Sequence, residues 1–350
     1  MRRFIVITSI FEPTEAVIEF SRQKDYQVIV VGDKKTPSSW HCNNVTYLSV
    51  DEQEDLGFKL TRDLPYNHYC RKMLGYLYAI SEKADVIIDT DDDNIPRPGW
   101  GFPEFTGSYP QIPENLGFVN IYELYTSQKI WPRGYPLRHI KKARSIPHEK
   151  ISNQEVKVGI WQGLANEDPD VDAVYRLTSD QLCTFEDNGP YVLDRGTVTP
   201  INSQNTAFLK ELFVLLYLPS LVTFRFTDIL RGLVAQPIMW QCGYRLGCTN
   251  ATVTQERNPH DYMKDFESEI PMYLYSERIV ELVSASISGD QSIEDNLYAA
   301  YLGLNKAGIV CKEEINCLEA WLIDYSKYGS SLPSPGTLWS CPLLSSFRTE

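Results

Sequence analysis

The chain has 350 residues, 43% of them hydrophobic and 12% aromatic, enough for one large α/β domain with a helical appendage or for two ordinary domains. Its formal net charge of −13 excludes a general nucleic-acid or anionic-membrane binder, because nothing on such a surface would displace counterions from phosphate. Any phosphate-bearing ligand must be held locally, by a metal, a few placed cations or backbone amides.

The opening Met1-Arg2-Arg3-Phe4-Ile5-Val6-Ile7-Thr8 has an apolar run too short for a leader, and it breaks at Thr8-Ser9, so it reads as a first strand. No stretch approaches 18 consecutive apolar residues, and the expectation is no transmembrane span and a cytoplasmic location. A helical pattern over 14–22 and a strand Gln27-Val28-Ile29-Val30-Val31, ending in Gly32-Asp33, follow. Near-continuous apolar strands in strand, helix, strand order predict a mostly parallel sheet covered on both faces. Ligands of such sheets gather at the strands' carboxyl ends, where Thr8, Ser9, Asp33, Lys34 and Lys35 fall.

Asp63 and Pro65 signal a helix over 66–80, with Tyr69, Met73, Leu77 and Ile80 as its core stripe. His68, Arg71, Gly75 and Tyr78 make a second stripe. A glycine in mid-helix costs about 1 kcal/mol against alanine, which close approach of a ligand or another chain segment would justify. Arg71 and Lys72 are cations available to a diphosphate, or else a solvated basic face.

The run Ile87-Ile88-Asp89-Thr90-Asp91-Asp92-Asp93-Asn94 is the most informative stretch, because three consecutive carboxylates close an apolar strand. At about 5 Å and an effective dielectric near 20, each neighbouring pair repels by roughly 3 kcal/mol, so a folded edge calls for a compensating cation. A hard dication, Mn²⁺ or Mg²⁺, takes oxygen ligands and leaves positions open for substrate phosphates. The alternative is a solvated acidic turn.

A loop-rich stretch dense in Pro, Gly and aromatics follows, with Pro132-Arg133-Gly134-Tyr135-Pro136 as a rigid turn. A strand over 158–164 leads into a second acidic loop carrying Asp168, Asp170 and Asp172. Asn202-Ser203-Gln204-Asn205 precedes a helix expected over 206–216. Phe224-Arg225-Phe226 reads as a short strand, with Thr227 capping a helix that begins at Asp228. Eight cysteines form no CxxC pair, which points to free thiols and no structural zinc. These patterns divide the chain into a domain over 1–270, a helical region over 271–328 and a Ser/Pro-rich, poorly ordered tail over 329–350.

Five ordered motifs resemble one family. They are Val31-Gly32-Asp33-Lys34-Lys35-Thr36-Pro37, the segment from Pro65 to Leu77, Asp91-Asp92-Asp93-Asn94, Trp131-Pro132-Arg133-Gly134-Tyr135-Pro136 and Thr227-Asp228-Ile229-Leu230-Arg231-Gly232. Together they are similar to the STELLO glycosyltransferase-like family, and the Asp triplet with Arg133-Gly134-Tyr135-Pro136 is more distantly similar to the reversibly glycosylated polypeptides, which are UDP-arabinopyranose mutases. The resemblance implies a GT-A fold, an αβα sandwich that binds a nucleotide sugar through a DxD metal motif. It implies transfer from a nucleoside-diphosphate sugar, a UDP-sugar, to a glycan or other hydroxyl acceptor. Ring-form interconversion through transient glycosylation of Arg133, and a non-catalytic partner of the same fold, are the alternatives.

In residue terms the resemblance implies that Thr8, Ser9 and Asp33 hold the nucleoside, with Lys34 beside them. Arg71 and Lys72 would face the diphosphate, and Arg133 would either contact the donor's phosphate or become transiently glycosylated. Asp91 and Asp92 would line the donor site, Asp91 and Asp93 would hold Mn²⁺ or Mg²⁺, and His260 would complete the metal shell. Asp228, or else Asp172 or Asp170, would take the acceptor's proton if the sugar inverts. For Asp228 the competing role is helix-dipole complementation, worth about 0.3–1 kcal/mol. Assembly with a second copy of the chain stays open.

Overall fold

Short apolar runs separated by amphipathic segments build a sheet covered on both faces, in a computed structural model that describes residues 1–142, 145–179, 181–256 and 261–329. The first half holds β1 (Arg3–Thr8), α1 (Glu15–Ser21), β2 (Tyr26–Val31), β3 (Val45–Leu48), α2 (Val50–Asp55), α3 (Lys72–Ser81) and β4 (Val86–Thr90). Next come β5 (Asn94–Pro96), β6 (Thr106–Ile112), β7 (Gly117–Phe118), β8 (Ser152–Glu167), α4 (Ala173–Thr178), β9 (Tyr191–Leu193), β10 (Thr197–Val198), β11 (Asn205–Leu209), α5 (Thr227–Gln241) and β12 (Arg245–Gln255). The described chain closes with α6 (Tyr262–Ser286), α7 (Ile293–Lys306) and α8 (Lys312–Tyr328).

Among the described residues, ten strands join one sheet in the order β3-β2-β1-β4-β11-β8-β6-β9-β12-β5, with β12 also pairing β8. The four strands β3-β2-β1-β4 are parallel throughout and form the expected parallel core. Beyond β4 the pairing is mixed, because β11 runs antiparallel to both β4 and β8 while β12 runs parallel to β8. Successive side chains of β1 enter opposite cores: Phe4 and Val6 belong to the core that α3, α5, α7 and α8 also line, and Ile5 and Ile7 to the core of α1, Trp40 and Trp100. The α/β sandwich with C-terminal helices read from the sequence is therefore what the chain forms.

Gly75 shows how tightly α3 lies on this sheet. A Cβ there would stand 2.6 Å from Val6 Cγ1 and 2.8 Å from Val31 Cγ2, so the glycine is explained by helix-to-sheet packing.

Several local expectations give way to tertiary pairing. The segment expected as a helix over 206–216 is β11 followed by a 3₁₀ stretch, Lys210–Leu216, because Asn205–Leu209 finds ladder partners on both sides. Phe224–Phe226 is a 3₁₀ turn and no strand, its Arg225 N–H donating to Ser268 Oγ instead of to a neighbouring ladder. Thr227 is the first residue of α5 and not its cap; Phe226 occupies the cap position without a side-chain bond. The helix expected over 66–80 begins as a 3₁₀ turn, Tyr69–Arg71, before α3. Residue 271, where a separate helical region was expected to start, is a proline inside α6. The seven described cysteines are free, and Cys341 lies outside the described residues, as does the tail from 330 onward. No helix among the described residues is long and apolar enough to cross a membrane.

Candidate functional site

The polar edge follows from topology. Because β1, β2, β4, β8 and β12 point the same way, their carboxyl ends meet, and antiparallel β11 brings its amino end to the same edge. Two adjoining pockets open there. The larger, about 250 Å³, is lined by Asp91, Asp92 and Asp93 after β4, by Ser203 and Gln204 before β11, by Gln255 at the end of β12, and by Arg133, Asp170, Arg225 and Asp228 from the facing wall. The smaller, about 190 Å³, is lined by Ser9, Gly32, Asp33, Lys35, Asn67, His68 and Arg71 among others. Thr8, Tyr69, Asp92 and Phe224 line both, so the two are one continuous cleft.

The three carboxylates after β4 are held differently from one another. Asp91 Oδ1 accepts from Lys72 Nζ at 2.8 Å, and the same ammonium donates to Asp89 Oδ1 at 2.9 Å and to Thr90 O at 2.8 Å. Burial nevertheless pushes the Asp91 carboxyl up to about 7; Lys72 opposes that rise, and Asp93 and Asp89 add to it. Asp92 is also raised, by burial first, while Ser9 Oγ donates to its carboxylate at 2.5 Å and holds it down. Thr14 Oγ1 donates to the Asp92 carbonyl at 2.6 Å, so this middle residue ties the loop to β1 and α1. Asp93 Oδ2 accepts from Gln255 Nε2 at 3.1 Å, across the cleft mouth.

Lys72 answers part of the cation question raised by the sequence. Its three N–H bonds are all spent inside the fold and its side chain is 0% exposed, so it does not face a diphosphate. Burial pulls its ammonium down, but Asp89 and Asp91 outweigh that and hold it above the ordinary lysine value. Arg71 is turned inward as well. Its Nε and Nη2 donate to Gln53 Oε1 at 2.9 and 2.6 Å, its Nη1 donates to Leu64 O, and its guanidinium stacks over Tyr66. Lys34 points its ammonium 3.6 Å from the Tyr66 ring centroid, and Lys35, not Lys34, lines the smaller pocket.

Thr8, Ser9 and Asp33 are where the strand-end argument puts them. The Asp33 carboxylate accepts from its neighbour Lys34 N–H at 2.7 Å and from Asn67 N–H at 2.6 Å, which fixes its direction at the pocket rim. His68, beside it, accepts from Cys70 N–H through Nδ1, and burial pulls its ring down to about 4 against the pull of Asp33, leaving a neutral imidazole on this wall.

The facing wall is a buried ion network centred on Arg133. Its Nε and Nη2 grip Asp170 at 2.7 Å each, Nη1 and Nη2 grip Asp228 at 3.0 and 2.7 Å, and Nη1 also donates to Arg225 O. The whole fork of five N–H donors is engaged, which leaves none for a sugar. Asp228 accepts further from Ser203 N–H, Tyr69 OH and Ile229 N–H. Burial would raise its carboxyl, but Arg133 outweighs that and holds it at about 2, too weakly basic for a general base near neutral pH. Asp172 does not line the cleft at all. It caps α4 by accepting from Tyr175 N–H at 2.8 Å and accepts from Trp131 Nε1 at 2.6 Å, and burial pushes it up to about 7.

The sequence reading did not single out Tyr69, Phe224, Arg225, Ser203, Gln204 or Gln255 as site residues, yet all line the larger pocket. Gln255, a polar residue ending an apolar strand, was findable from strand-end logic; Arg225, between two phenylalanines, carried no such signal. His260 lies outside the described residues. Among the described residues no group of three His, Cys, Asp or Glu side chains is gathered as a metal cluster.

The resemblance expected from the motifs stands. The family profile of the STELLO glycosyltransferases matches residues 225–335. The chain is 28% identical to Probable glycosyltransferase STELLO2 and 27% identical to Probable glycosyltransferase STELLO1, both of Arabidopsis thaliana, over 95% of its own length. It spans 45% of the length of each of these relatives. Among solved structures, glucosyl-3-phosphoglycerate synthase of M. tuberculosis is similar with a TM-score of 0.36 and 10% identity, covering 79% of this chain and 80% of that chain.

Proposed function

We propose that the chain transfers a sugar from a nucleoside-diphosphate sugar, a UDP-sugar, to a hydroxyl acceptor such as a glycan, in the manner of a GT-A enzyme with Mn²⁺ or Mg²⁺ bound. The observation that carries this reading is the carboxylate pair Asp91 and Asp93, which opens from the end of a buried parallel strand into a cleft with a second pocket beside it. The similarity to the STELLO glycosyltransferases supports the same class of reaction.

The donor set fits a hard dication. Asp91 is half-held by Lys72 through Oδ1, while its Oδ2 accepts from no described residue. Burial and the neighbouring Asp93 both disfavour its charge, a cost that a dication relieves. Two carboxylates are enough for an ion that completes its shell with water and substrate phosphates. When bound, the metal supplies positive charge to the departing nucleoside diphosphate.

The chain's own residues do the rest. Thr8 and Asp33 orient the nucleoside in the smaller pocket, and the oriented Asp33 carboxylate suits a pyrimidine N–H donor. Ser9 and Thr14 fix the loop so that Asp91 and Asp93 stand on either side of a tethered Asp92. Asp170 and Asp228 serve as the anchors of Arg133, which keeps the wall opposite the carboxylates rigid.

Isothermal titration with UDP in the presence of Mn²⁺ tests the reading. The wild-type chain binds, and Asp93→Ala loses binding by at least tenfold. Absence of binding by the wild type, or equal binding by Asp93→Ala, overturns it.

A further inference from the structure

We infer that Arg225 is the cation that meets the donor's diphosphate in this cleft, an assignment that rests on the nucleotide-sugar reading above and deepens it. The larger pocket, where the carboxylates of Asp91 and Asp93 open, is lined by two cationic side chains, Arg133 and Arg225. Arg133 has its entire donor fork committed to Asp170, Asp228 and the Arg225 carbonyl. Arg225 does not. Its Nε donates to Glu269 Oε1 at 2.9 Å, and its Nη2 lies 2.7 Å from the same oxygen, 3.4 Å from Val171 O and 3.9 Å from Asp170 Oδ1. Its Nη1 donates to no described residue.

The anchoring makes this free edge directional. Glu269, fully buried on α6, also accepts from Ala173 N–H at 2.7 Å and from Tyr273 OH at 2.5 Å, so it is a fixed post. The Arg225 backbone is pinned as well, by Ser268 Oγ on its N–H and by Arg133 on its carbonyl. A guanidinium held by one edge and open on the other is preorganised for a second oxyanion, and a planar fork matches phosphate oxygens in a way a lone ammonium does not. The need for such a group is set by the surroundings: the same pocket holds Asp91, Asp92 and Asp93, which repel an anionic ligand, while Asp170 and Asp228 already take up Arg133. Of the cations that sequence proximity offered for the task, Lys72 is consumed inside the fold, and Arg71 is held on Gln53 and the Leu64 carbonyl beside the smaller pocket, outside the larger one. Lys35 lines the smaller pocket and not the larger one, where Asp91 and Asp93 open.

The test compares UDP with uridine by isothermal titration in Mn²⁺, on the wild type, Arg225→Met with Glu269→Gln, and Arg225→Lys. The double variant removes the charge without stranding Glu269. Arg225→Lys keeps the ion pair with Glu269, and so the fold, but has no second edge to offer. Loss of one charge-assisted contact predicts a 10- to 100-fold weaker Kd for UDP in the double variant and a smaller loss in Arg225→Lys, with uridine binding unchanged in both. Equal UDP affinity in a folded variant overturns the assignment, and so does an equal loss of uridine and UDP, which marks a structural role. Failure of the wild type to bind UDP at all defeats the nucleotide-sugar reading instead, a result distinct from either.

Discussion

The chain carries two acidic runs of three aspartates, and the fold treats them in opposite ways. Asp168, Asp170 and Asp172 are matched one by one: Asp168 pairs with Arg176, Asp170 is gripped bidentately by Arg133, and Asp172 caps α4 and binds Trp131. Asp91 and Asp92 are each held by a single side chain. One oxygen of Asp91 has Lys72, Asp92 has the Ser9 hydroxyl, and Asp93 has the Gln255 amide on one oxygen. Acidity in a sequence is therefore no measure of readiness for a ligand; what matters is whether the fold already supplies the counter-charges.

The sharpest way to break this contrast is to remove the counter-charge on the satisfied side. Arg133→Met strands two buried carboxylates and should cost on the order of 5 kcal/mol in urea unfolding at pH 7. Asp228→Asn leaves the partner only partly uncompensated and should cost about 3 kcal/mol under the same conditions. Its pH dependence is fixed by sign. The folded carboxyl, at about 2, lies below its ordinary 3.8, so the stabilisation is present above 3.8 and is lost as pH falls through 2. The gap between Asp228→Asn and wild type should shrink over that acid range.

Asp172 tests the opposite sign within the same run. Its folded carboxyl is pushed up to about 7 from 3.8, so the fold retains a proton that the unfolded chain has released, and stability falls as pH rises from about 4 to 7. Asp172→Asn should flatten this slope, by on the order of 3 kcal/mol across the window, as read from unfolding curves at pH 4, 5.5 and 7. The smallest change in stability belongs to the other run. Asp91→Asn should shift unfolding by less than about 1 kcal/mol, since Lys72 keeps Asp89 and the Thr90 carbonyl, while abolishing Mn²⁺-dependent UDP binding. A loss as large as that of Asp228→Asn would mean that the two runs do the same structural work.

Much of the site was legible because strand ends are local facts. Thr8, Ser9, Asp33 and the triplet each follow an apolar run, and parallel strands must place such ends together. The basic pair Arg71-Lys72 was misleading for a physical reason. Whether a cation at a helix start faces solvent or core depends on which acceptors lie behind it, here Gln53, Asp89 and Asp91, 17 to 19 residues away in the chain. The role of Asp228 was hidden at longer range, in Arg133, 95 residues earlier.

By itself the amino-acid order determined the alternating runs that make a covered sheet, the edge at which polar residues collect, and the five motifs by which the chain resembles the STELLO glycosyltransferases. Only tertiary structure decided that 205–209 is a strand, that Arg133 is spent as a clamp, and that Arg225 keeps an open edge. Periodicity and chain neighbours act through local sterics, which sequence displays. The state of a charge is set by desolvation and by partners that meet only once the chain has folded.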